Sequence, residues 1–214
     1  MSASEQLKKI VSNCGVIPTL VIEDINSAIP LAEALHDGGL TVLEITLRTP
    51  VALPAIQQIR QALPDLFVGA GTVLDERAAQ DAHDAGAQFL VSPGYTTALG
   101  DFCRSKQIAL MPGVATASEI MAALADGYDF LKCFPAAVLG GTRWLEAMRG
   151  PFPDVRFCPT GGISAADAHT YLSLPNVLCI GGSWMTPAAA VRAKDWTQIT
   201  SLARQALEAR NRGD

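Results

Sequence analysis

A single lysine interrupts an apolar segment of the chain. In the run Asp129-Phe130-Leu131-Lys132-Cys133-Phe134-Pro135, which is typical of a β-strand, alternation places Phe130, Lys132 and Phe134 on one face. A lysine amine attacks a carbonyl carbon only when it is neutral, and apolar surroundings favour the neutral form. The alternatives are that Lys132 reaches water along its aliphatic stem, or that it pairs with a carboxylate for structural reasons. Because buried lysines are rare unless paired or catalytic, Lys132 is a candidate nucleophile.

A glutamate and an arginine share one face of a second apolar segment, Val42–Arg48. Alternation aligns Glu44, Thr46 and Arg48 and turns the apolar residues between them to the other face. A carboxylate inside a core must meet a cation, a hydrogen-bond donor or water. Glu44 therefore either forms a structural salt bridge with Lys132 or moves protons during carbonyl chemistry at that amine. Arg48, at the carboxyl end of the segment, either holds a substrate carboxylate with its two-pronged donor group or is an ordinary rim arginine.

The elements that must position these residues alternate along the chain. Short β-branched runs are each followed by an amphipathic segment, which is the pattern of parallel βαβ units. The expected strands are Val16–Ile22, Val42–Leu47, Phe67–Gly71, Phe89–Ser92, Ala109–Met111, Phe130–Phe134, Arg156–Pro159 and Val177–Ile180. The expected helices are Ser4–Asn13, Ser27–His36, Ala52–Ala62, Glu76–Ala85, Thr97–Ser105, Ala117–Ala125, Thr142–Met148, Ala165–Leu172 and a tail from Trp196 to Arg210.

The number of these units predicts the fold. Eight strands, each followed by a helix, predict an α/β protein with a single-domain (β/α)8 TIM barrel over residues 1–214, with residues 1–14 as an extra N-terminal helix. The length of 214 residues suits one domain better than two. The alternative is an open doubly wound sheet, but no GxGxxG pattern follows the first predicted strand.

Two glycine pairs follow the last two predicted strands. They lie in Thr160-Gly161-Gly162-Ile163-Ser164 and Ile180-Gly181-Gly182-Ser183. The loops after the seventh and eighth strands of a barrel often bind phosphate, and glycines let backbone N–H groups approach an anion closely. A helix beginning at Ala165 would add a favourable dipole. The order of the strands thus predicts a phosphate site here, and the alternative is that each pair only makes a turn.

Composition limits the class of partner. Hydrophobic residues make up 49% and charged residues 17%, which is enough for a sizeable core and too little charge for disorder. The net charge of -5, from 16 basic and 21 acidic residues, offers no overall attraction to nucleic acid or anionic lipid. We therefore expect a small-molecule ligand, with no nucleic acid and no membrane as partner.

The chain is expected to be cytoplasmic. Its longest charge-poor stretch, Ala168–Val191, is interrupted by prolines and glycines and does not suit a membrane span. The first ten residues lack the apolar run of an export signal. The cysteines are Cys14, Cys103, Cys133, Cys158 and Cys179. Their scatter, mostly inside apolar runs, suits reduced core thiols.

No metal or cofactor is expected. His36, His83 and His169 each lie in a predicted helix, away from the strand ends at which a histidine-based metal site would form. The GxSxG and P-loop patterns are also absent from the sequence.

Seven motifs resemble the 2-keto-3-deoxy-6-phosphogluconate (KDPG) aldolases, the class I pyruvate aldolases of the Entner–Doudoroff route, which often also act on 4-hydroxy-2-oxoglutarate (KHG). The motifs are Gly15-Val16-Ile17-Pro18, Leu43-Glu44-Ile45-Thr46-Leu47-Arg48-Thr49, Gly69-Ala70-Gly71-Thr72-Val73, Ser92-Pro93-Gly94, Pro112-Gly113-Val114-Ala115-Thr116, Leu131-Lys132-Cys133-Phe134-Pro135-Ala136 and Pro159-Thr160-Gly161-Gly162-Ile163. Together they are highly specific, and the resemblance covers nearly the whole chain.

The resemblance implies a role for each candidate residue. Lys132 would form the Schiff base, and Glu44 would be the general acid and base. The other implied roles are pyruvoyl contacts for Arg48, Thr72 and Pro93, packing beside the imine for Phe134, proximity to the reacting carbinol for Thr160, and phosphate binding for Gly161, Gly162, Gly181 and Ser183. The resemblance also implies a homotrimer.

Three hypotheses about activity follow. The implied reaction is metal-independent cleavage of KDPG to pyruvate and glyceraldehyde 3-phosphate, with cleavage of KHG to pyruvate and glyoxylate as a second reaction. A related aldolase acting on the 6-phosphogalactonate epimer is an alternative within this class. The second hypothesis is a phosphosugar epimerase or isomerase that uses Glu44 as base and Lys132 only for its charge. The third is a non-catalytic protein that binds phosphorylated ligands.

Overall fold

The computed structural model describes residues 3–211, in which strands and helices alternate. The strands are β1 (Val16–Leu20), β2 (Val42–Thr46), β3 (Phe67–Gly71), β4 (Phe89–Val91), β5 (Leu110–Met111), β6 (Gly113–Val114), β7 (Phe130–Cys133), β8 (Arg156–Pro159) and β9 (Ile180–Gly182). The helices are α1 (Ala3–Cys14), α2 (Ala28–Asp37), α3 (Ala52–Ala62), α4 (Glu76–Asp84), α5 (Thr97–Ser105), α6 (Ala117–Ala125), α7 (Thr142–Arg149), α8 (Ala168–Leu172), α9 (Ala188–Ala193) and α10 (Trp196–Asn211). A 3-10 turn, Ile25–Ser27, precedes α2.

Every strand pairing is parallel. Hydrogen bonds order six strands as β5-β4-β3-β2-β1-β9 and three as β6-β7-β8. Isolated bridges from Phe157 to Val177 and from Thr160 to Gly181 join β8 to the segment that contains β9. From β1 to β5 each strand lies beside the next, without the reversal of order that a doubly wound sheet requires. The predicted parallel α/β class is confirmed.

The predicted fifth strand is confirmed, and a short strand that was not predicted follows it after a proline. The segment Ala109–Met111 contains β5, and β6 lies on the other side of Pro112. Proline has no N–H to donate to a strand ladder. Its carbonyl still accepts a hydrogen bond of 2.8 Å from the backbone N–H of Lys132. The chain at Pro112 therefore supports the strand that carries the lysine.

The predicted eighth strand is displaced toward the C-terminus. It was expected at Val177–Ile180 and is observed as β9 at Ile180–Gly182. The N–H of Val177 donates to the Leu174 carbonyl at 3.0 Å, so a turn engages the residues where the strand was expected to begin. As a result, Gly181 and Gly182 belong to the strand itself rather than to the loop after it.

Helix α1 covers the ends at which the strands begin. Its buried residues Leu7, Val11 and Cys14 pack into an apolar cluster that the inward-facing strand residues form. The strand residues of this inner cluster include Val42, Phe89, Val91, Met111, Phe130 and Cys158. Lys8 of α1 also pairs with Asp129, immediately before β7. The carboxyl ends of the strands therefore lie at the edge opposite α1.

The alternation predicted along β2 is confirmed. Val42 lies in the inner cluster, whereas Leu43 and Ile45 pack in a second cluster between the sheet and the helices. Glu44 and Thr46 are buried on the side of Val42. Within residues 3–211, no helix combines the length and the apolar character needed to cross a membrane.

The loop after β4, which carries Pro93, is hydrogen-bonded to the C-terminal end of α6. The Tyr95 hydroxyl donates a short hydrogen bond to the carboxylate of Asp126, the residue that caps α6. Burial, together with this hydrogen bond, raises the pKa of Tyr95 to about 12. The folded chain therefore holds the phenolic proton more tightly than the unfolded chain does.

We expect the free energy of unfolding to fall as the pH rises from about 10 to about 12, because Tyr95 has a pKa of 10.0 in its ordinary state and about 12 here. A raised folded-state pKa contributes stability that is complete below the ordinary pKa and is lost as the pH rises through the folded one. Urea unfolding across this range tests the expectation. The variant Tyr95→Phe should lose less stability than the unmodified chain, and an equal fall in both proteins would contradict it.

Candidate active site

Lys132 and Glu44 lie together inside the sheet, although 88 positions separate them in the sequence. Lys132 Nζ donates a hydrogen bond of 3.4 Å to Glu44 Oε1. Lys132 is only 5% exposed and Glu44 2% exposed, so the lysine does not extend into bulk water. The ion pair weighed as a structural alternative is present. Its geometry also places a carboxylate where it can move protons beside the amine.

An aromatic ring lies close to the amine. Lys132 Nζ is 5.1 Å from the centroid of the Phe134 ring, and Phe130 belongs to the inner apolar cluster. The face of a ring and a nearby carboxylate stabilise a cation at this point. The same surroundings would stabilise the cationic imine that a lysine forms with a ketone.

A threonine that the sequence patterns did not single out contacts the glutamate. Thr19 on β1 stands in register with Glu44 on β2, and its hydroxyl donates to Glu44 Oε2 at 3.5 Å. Thr19 is the one polar residue in the strand Val16–Leu20, and alternation places it on the inward face with Ile17. A polar residue on an inward strand face was therefore the available signal.

The other candidate residues follow the ends of their strands. The set comprises Arg48 after β2, Thr72 after β3, Pro93 after β4, Phe134 after β7 and Thr160 after β8, with Ser183 after β9. Because parallel strands end at the same edge of a sheet, these residues share the edge opposite α1. Their burial differs, since Thr160 is 6% exposed whereas Arg48 and Ser183 are exposed.

Backbone conformation and close packing explain why the residues near this edge are glycines. Gly161 and Gly162 have φ angles of +98° and +77°, which favour glycine. A Cβ on Gly181 would lie 3.0 Å from Thr160 Cγ2, and one on Gly182 would lie 2.9 Å from Cη2 of Trp184. The turn that was weighed as the alternative is therefore present after β8, and phosphate binding stays a prediction.

The helix expected beside the first glycine pair begins later in the chain than predicted. The helix was expected from Ala165, but α8 begins at Ala168 and has five residues. The hydroxyl of Ser164 accepts a hydrogen bond of 3.4 Å from the Asp167 N–H, and the intervening residues form turns. Short polar side chains favour such turns because they compete with the helix for backbone N–H groups.

A cavity of about 460 Å³ lies between the segment after β1 and the segment after β9. Its lining residues include Thr19 and Ser183, together with Asp24 and Lys194. Lys132 and Glu44 are not part of its wall. Thr19 both lines the cavity and hydrogen-bonds to Glu44, so it connects the two.

Thr72 has an unusual backbone conformation. Its φ angle of +62° lies in the left-handed region, which β-branched residues rarely adopt. Such a conformation costs about 1–3 kcal/mol and occurs most often at functional sites. The strain therefore supports a role for the Thr72 side chain at this edge.

We expect Thr72→Gly to raise the free energy of unfolding by about 1 kcal/mol, because glycine adopts this conformation without strain. We also expect it to raise the KM for the expected substrate, KDPG, because glycine lacks the hydroxyl. Thermal unfolding and steady-state kinetics measure the two effects. Gln107→Gly is the control, since Gln107 also has a positive φ, +56°, but lies in the segment before β5. It should raise stability without changing KM. A Thr72→Gly variant that is no more stable would contradict the account.

The neighbouring cysteine is a poor competitor as nucleophile. Cys133 follows Lys132 and belongs to the cluster between sheet and helices. Burial raises the pKa of the Cys133 thiol to about 12 and that of Cys103 to about 11. Both thiols therefore stay protonated near neutral pH, and only the thiolate is strongly nucleophilic.

The three histidines lie on helices, as predicted. His36 is in α2, His83 in α4 and His169 in α8. In the described part of the chain, no three or more histidine, cysteine, aspartate or glutamate side chains are grouped so that they could hold a metal ion.

The fold and the site together define a class of protein. A parallel α/β sheet brings a buried lysine amine next to a carboxylate, near the edge at which catalytic groups of such sheets collect. This arrangement is that of an enzyme that acts on carbonyl compounds through a lysine.

Comparison with known proteins gives the family. A family model described as KDPG and KHG aldolase matches residues 7–202, and the chain belongs to this family. It is 50% identical over 193 residues to the 2-dehydro-3-deoxy-phosphogluconate aldolase of Pseudomonas aeruginosa, covering 90% of this chain and 88% of that one. It is 47% identical over 201 residues to the KHG/KDPG aldolase of Escherichia coli strain K12, covering 94% of each.

Solved structures give the same result. The KDPG aldolase of Legionella pneumophila, with pyruvate captured as a covalent carbinolamine intermediate, superposes with a TM-score of 0.91 at 46% identity, covering 93% of this chain and 97% of that one. The KDPG aldolase of Zymomonas mobilis ZM4, with 3-phosphoglycerate, gives a TM-score of 0.91 at 47% identity and covers 95% of each chain.

Proposed function

We propose that this chain is a class I aldolase that cleaves KDPG to pyruvate and glyceraldehyde 3-phosphate, with KHG as a second substrate. The observation that carries the proposal is the buried Lys132 amine, 3.4 Å from the Glu44 carboxylate. The names of the relatives, which are KDPG and KHG aldolases, support the same activity.

The proposed reaction begins at the lysine. The neutral amine of Lys132 attacks the C2 carbonyl, and loss of water from the carbinolamine leaves a protonated imine. Glu44, directly or through a water, removes the proton from the C4 hydroxyl while the C3–C4 bond breaks. The bonding electrons pass to the imine and form an enamine, and glyceraldehyde 3-phosphate leaves. Protonation of the enamine at C3, again through Glu44, and hydrolysis then release pyruvate and restore the amine.

The residues at the strand ends would hold the substrate on either side of the broken bond. We assign the keto-acid end to Arg48, Thr72 and Pro93, with Phe134 beside the imine and Thr160 near the C4 carbinol. The phosphate is assigned to Gly161, Gly162, Gly181, Gly182 and Ser183. Holding both ends orients the reacting carbons, which lowers the barrier by removing translational and rotational freedom before the reaction.

We also propose that the described residues form one closed (β/α)8 barrel domain with α1 as its leading helix, and that the chain is a cytoplasmic homotrimer. Residues 1–2 and 212–214 of the predicted domain lie outside the described residues. The bridges between β8 and the β9 segment support closure. Burial of all five cysteines suits a reducing compartment. Leu74, Met121 and Val138 are large apolar side chains on the surface, and contacts between copies would cover such groups. Light scattering of the purified chain tests the trimer.

The activity is tested by measuring pyruvate release from KDPG, from its 6-phosphogalactonate epimer and from KHG. We expect KDPG to be cleaved with the highest kcat/KM, and a chelator to leave the rate unchanged. Conversion of a phosphosugar without pyruvate release would favour the epimerase hypothesis. Binding of phosphorylated ligands without any turnover would favour a non-catalytic protein.

A further inference from the structure

The Glu44 carboxylate occupies a space that exists because Gly71 has no side chain. Gly71 is the last residue of β3 and pairs with Thr46 of β2, two residues beyond Glu44. A Cβ on Gly71 would overlap Glu44 Oε1 and would lie 2.8 Å from both Cδ and Cγ of Glu44. The side chain of Glu44 therefore extends across the backbone of Gly71.

Backbone conformation does not explain why residue 71 is a glycine. Gly71 is absent from the residues with positive φ, although its neighbour Thr72 has a φ of +62°. An alanine could adopt the conformation of Gly71, so the position requires glycine for its lack of volume alone. The volume that the glycine leaves open is filled by the carboxylate that contacts Lys132.

Two other strands complete the surroundings of the carboxylate. Lys132 on β7 donates to Oε1 at 3.4 Å, and Thr19 on β1 donates to Oε2 at 3.5 Å. The second distance is at the outer limit for a hydrogen bond, so it holds the carboxylate weakly. Both contacts are long, and Oε1 can lie where it does only because no Cβ on Gly71 occupies that space.

We propose that Gly71 is a positioning residue, which fixes the Glu44 carboxylate against the Lys132 amine by leaving it room. This inference rests on the proposed aldol cleavage. A methyl group at position 71 displaces the carboxylate, and a displacement of about 1 Å costs on the order of 10²-fold in rate. We therefore expect Gly71→Ala to lower kcat by about 10²-fold. The KM should change little, because Gly71 acts through Glu44.

The test is a double-mutant cycle with Glu44→Asp, which shortens the side chain by one methylene and makes room for the new methyl group. Adding Gly71→Ala to Glu44→Asp should lower kcat by less than about 3-fold, against about 10²-fold in the unmodified chain. Exchange of the pyruvate methyl protons with deuterated solvent should fall in parallel with kcat. Equal losses in both backgrounds would overturn the proposal.

Gly69→Ala is the matched control on the same strand. A Cβ there would lie 2.5 Å from Cε1 and Cε2 of Phe89 and would therefore strain the core. Gly69 stands in register with Glu44, but the atoms that the Cβ would meet first belong to Phe89. This control should lower Tm and leave kcat within about 3-fold. If Gly71→Ala does not fold, the double variant should recover the fold, and failure of both to fold would overturn the proposal.

The failure of this inference and the failure of the proposed function give different results. An unmodified chain that releases no pyruvate from KDPG contradicts the proposed function. An unmodified chain that cleaves KDPG, with a folded Gly71→Ala variant that cleaves it equally fast, contradicts only the role of Gly71.

Discussion

Lys132→Met is expected to abolish cleavage of KDPG, lowering kcat by more than about 10⁴-fold, because methionine cannot form an imine. Methionine is close to lysine in length and suits a residue that is 5% exposed. It leaves the Glu44 carboxylate buried without its cation, and breaking a buried ion pair in this way costs about 3–5 kcal/mol. A coupled assay for pyruvate and thermal unfolding measure the two effects.

The control for this prediction is Lys132→Arg, which keeps a positive charge beside Glu44. If Lys132 acts as the nucleophile, the arginine variant is as inactive as the methionine variant, because a guanidinium stays protonated in proteins. Appreciable turnover by Lys132→Arg would contradict imine formation and would support the hypothesis in which the lysine contributes only its charge.

Glu44→Gln is expected to lower kcat by about 10²–10⁴-fold, which is the usual contribution of a general acid and base. Glutamine has nearly the same shape, so it fits the space beside Gly71 and still meets Thr19. It cannot take the proton from the C4 hydroxyl or return one to the enamine. Steady-state kinetics on KDPG measure the loss.

The same substitution at an exposed glutamate provides the control. Glu33 lies exposed on α2, and Glu33→Gln should leave kcat and KM unchanged. A Glu44→Gln variant that cleaves KDPG at the unmodified rate would contradict the role of Glu44 and would reduce its pairing with Lys132 to a structural contact.

Much of the site could be predicted because strand alternation is a local property. The period of two separated the face of each strand that carries Glu44 or Lys132 from the face that packs against the helices, and the two apolar clusters confirm this separation. Their meeting depends on the pairing of strands far apart in the chain. The need of a buried carboxylate for a cation or a donor made that meeting an alternative to be tested, and the 3.4 Å contact shows that the two residues meet.

The contacts that hold Glu44 in place were not predictable in the same way. Thr19 reaches Glu44 because the two residues stand in register on neighbouring strands. Gly71, on the strand at the other side of Glu44, leaves room for the carboxylate because it has no side chain. The sequence motif contained Gly71 but gave no reason for it. Register depends on pairing between strands, which single-chain patterns do not determine.

The errors in the elements have similar causes. Strand β6 was not predicted because the proline before it interrupts the ladder and leaves a strand of two residues. The helix expected from Ala165 begins later because Ser164 and Asp167 form a turn. Helix α9, Ala188–Ala193, was not predicted because its six residues, which are rich in alanine, show no clear amphipathic period.

Reduction with borohydride in the presence of pyruvate tests the central claim most directly. The amine of Lys132 should become irreversibly linked to one reduced pyruvate, and peptide mass spectrometry should find that mass on the single peptide that contains this lysine. Borohydride alone should leave the peptide unmodified. A chain that cleaves KDPG but carries the added mass on another lysine, or on none, would contradict the account.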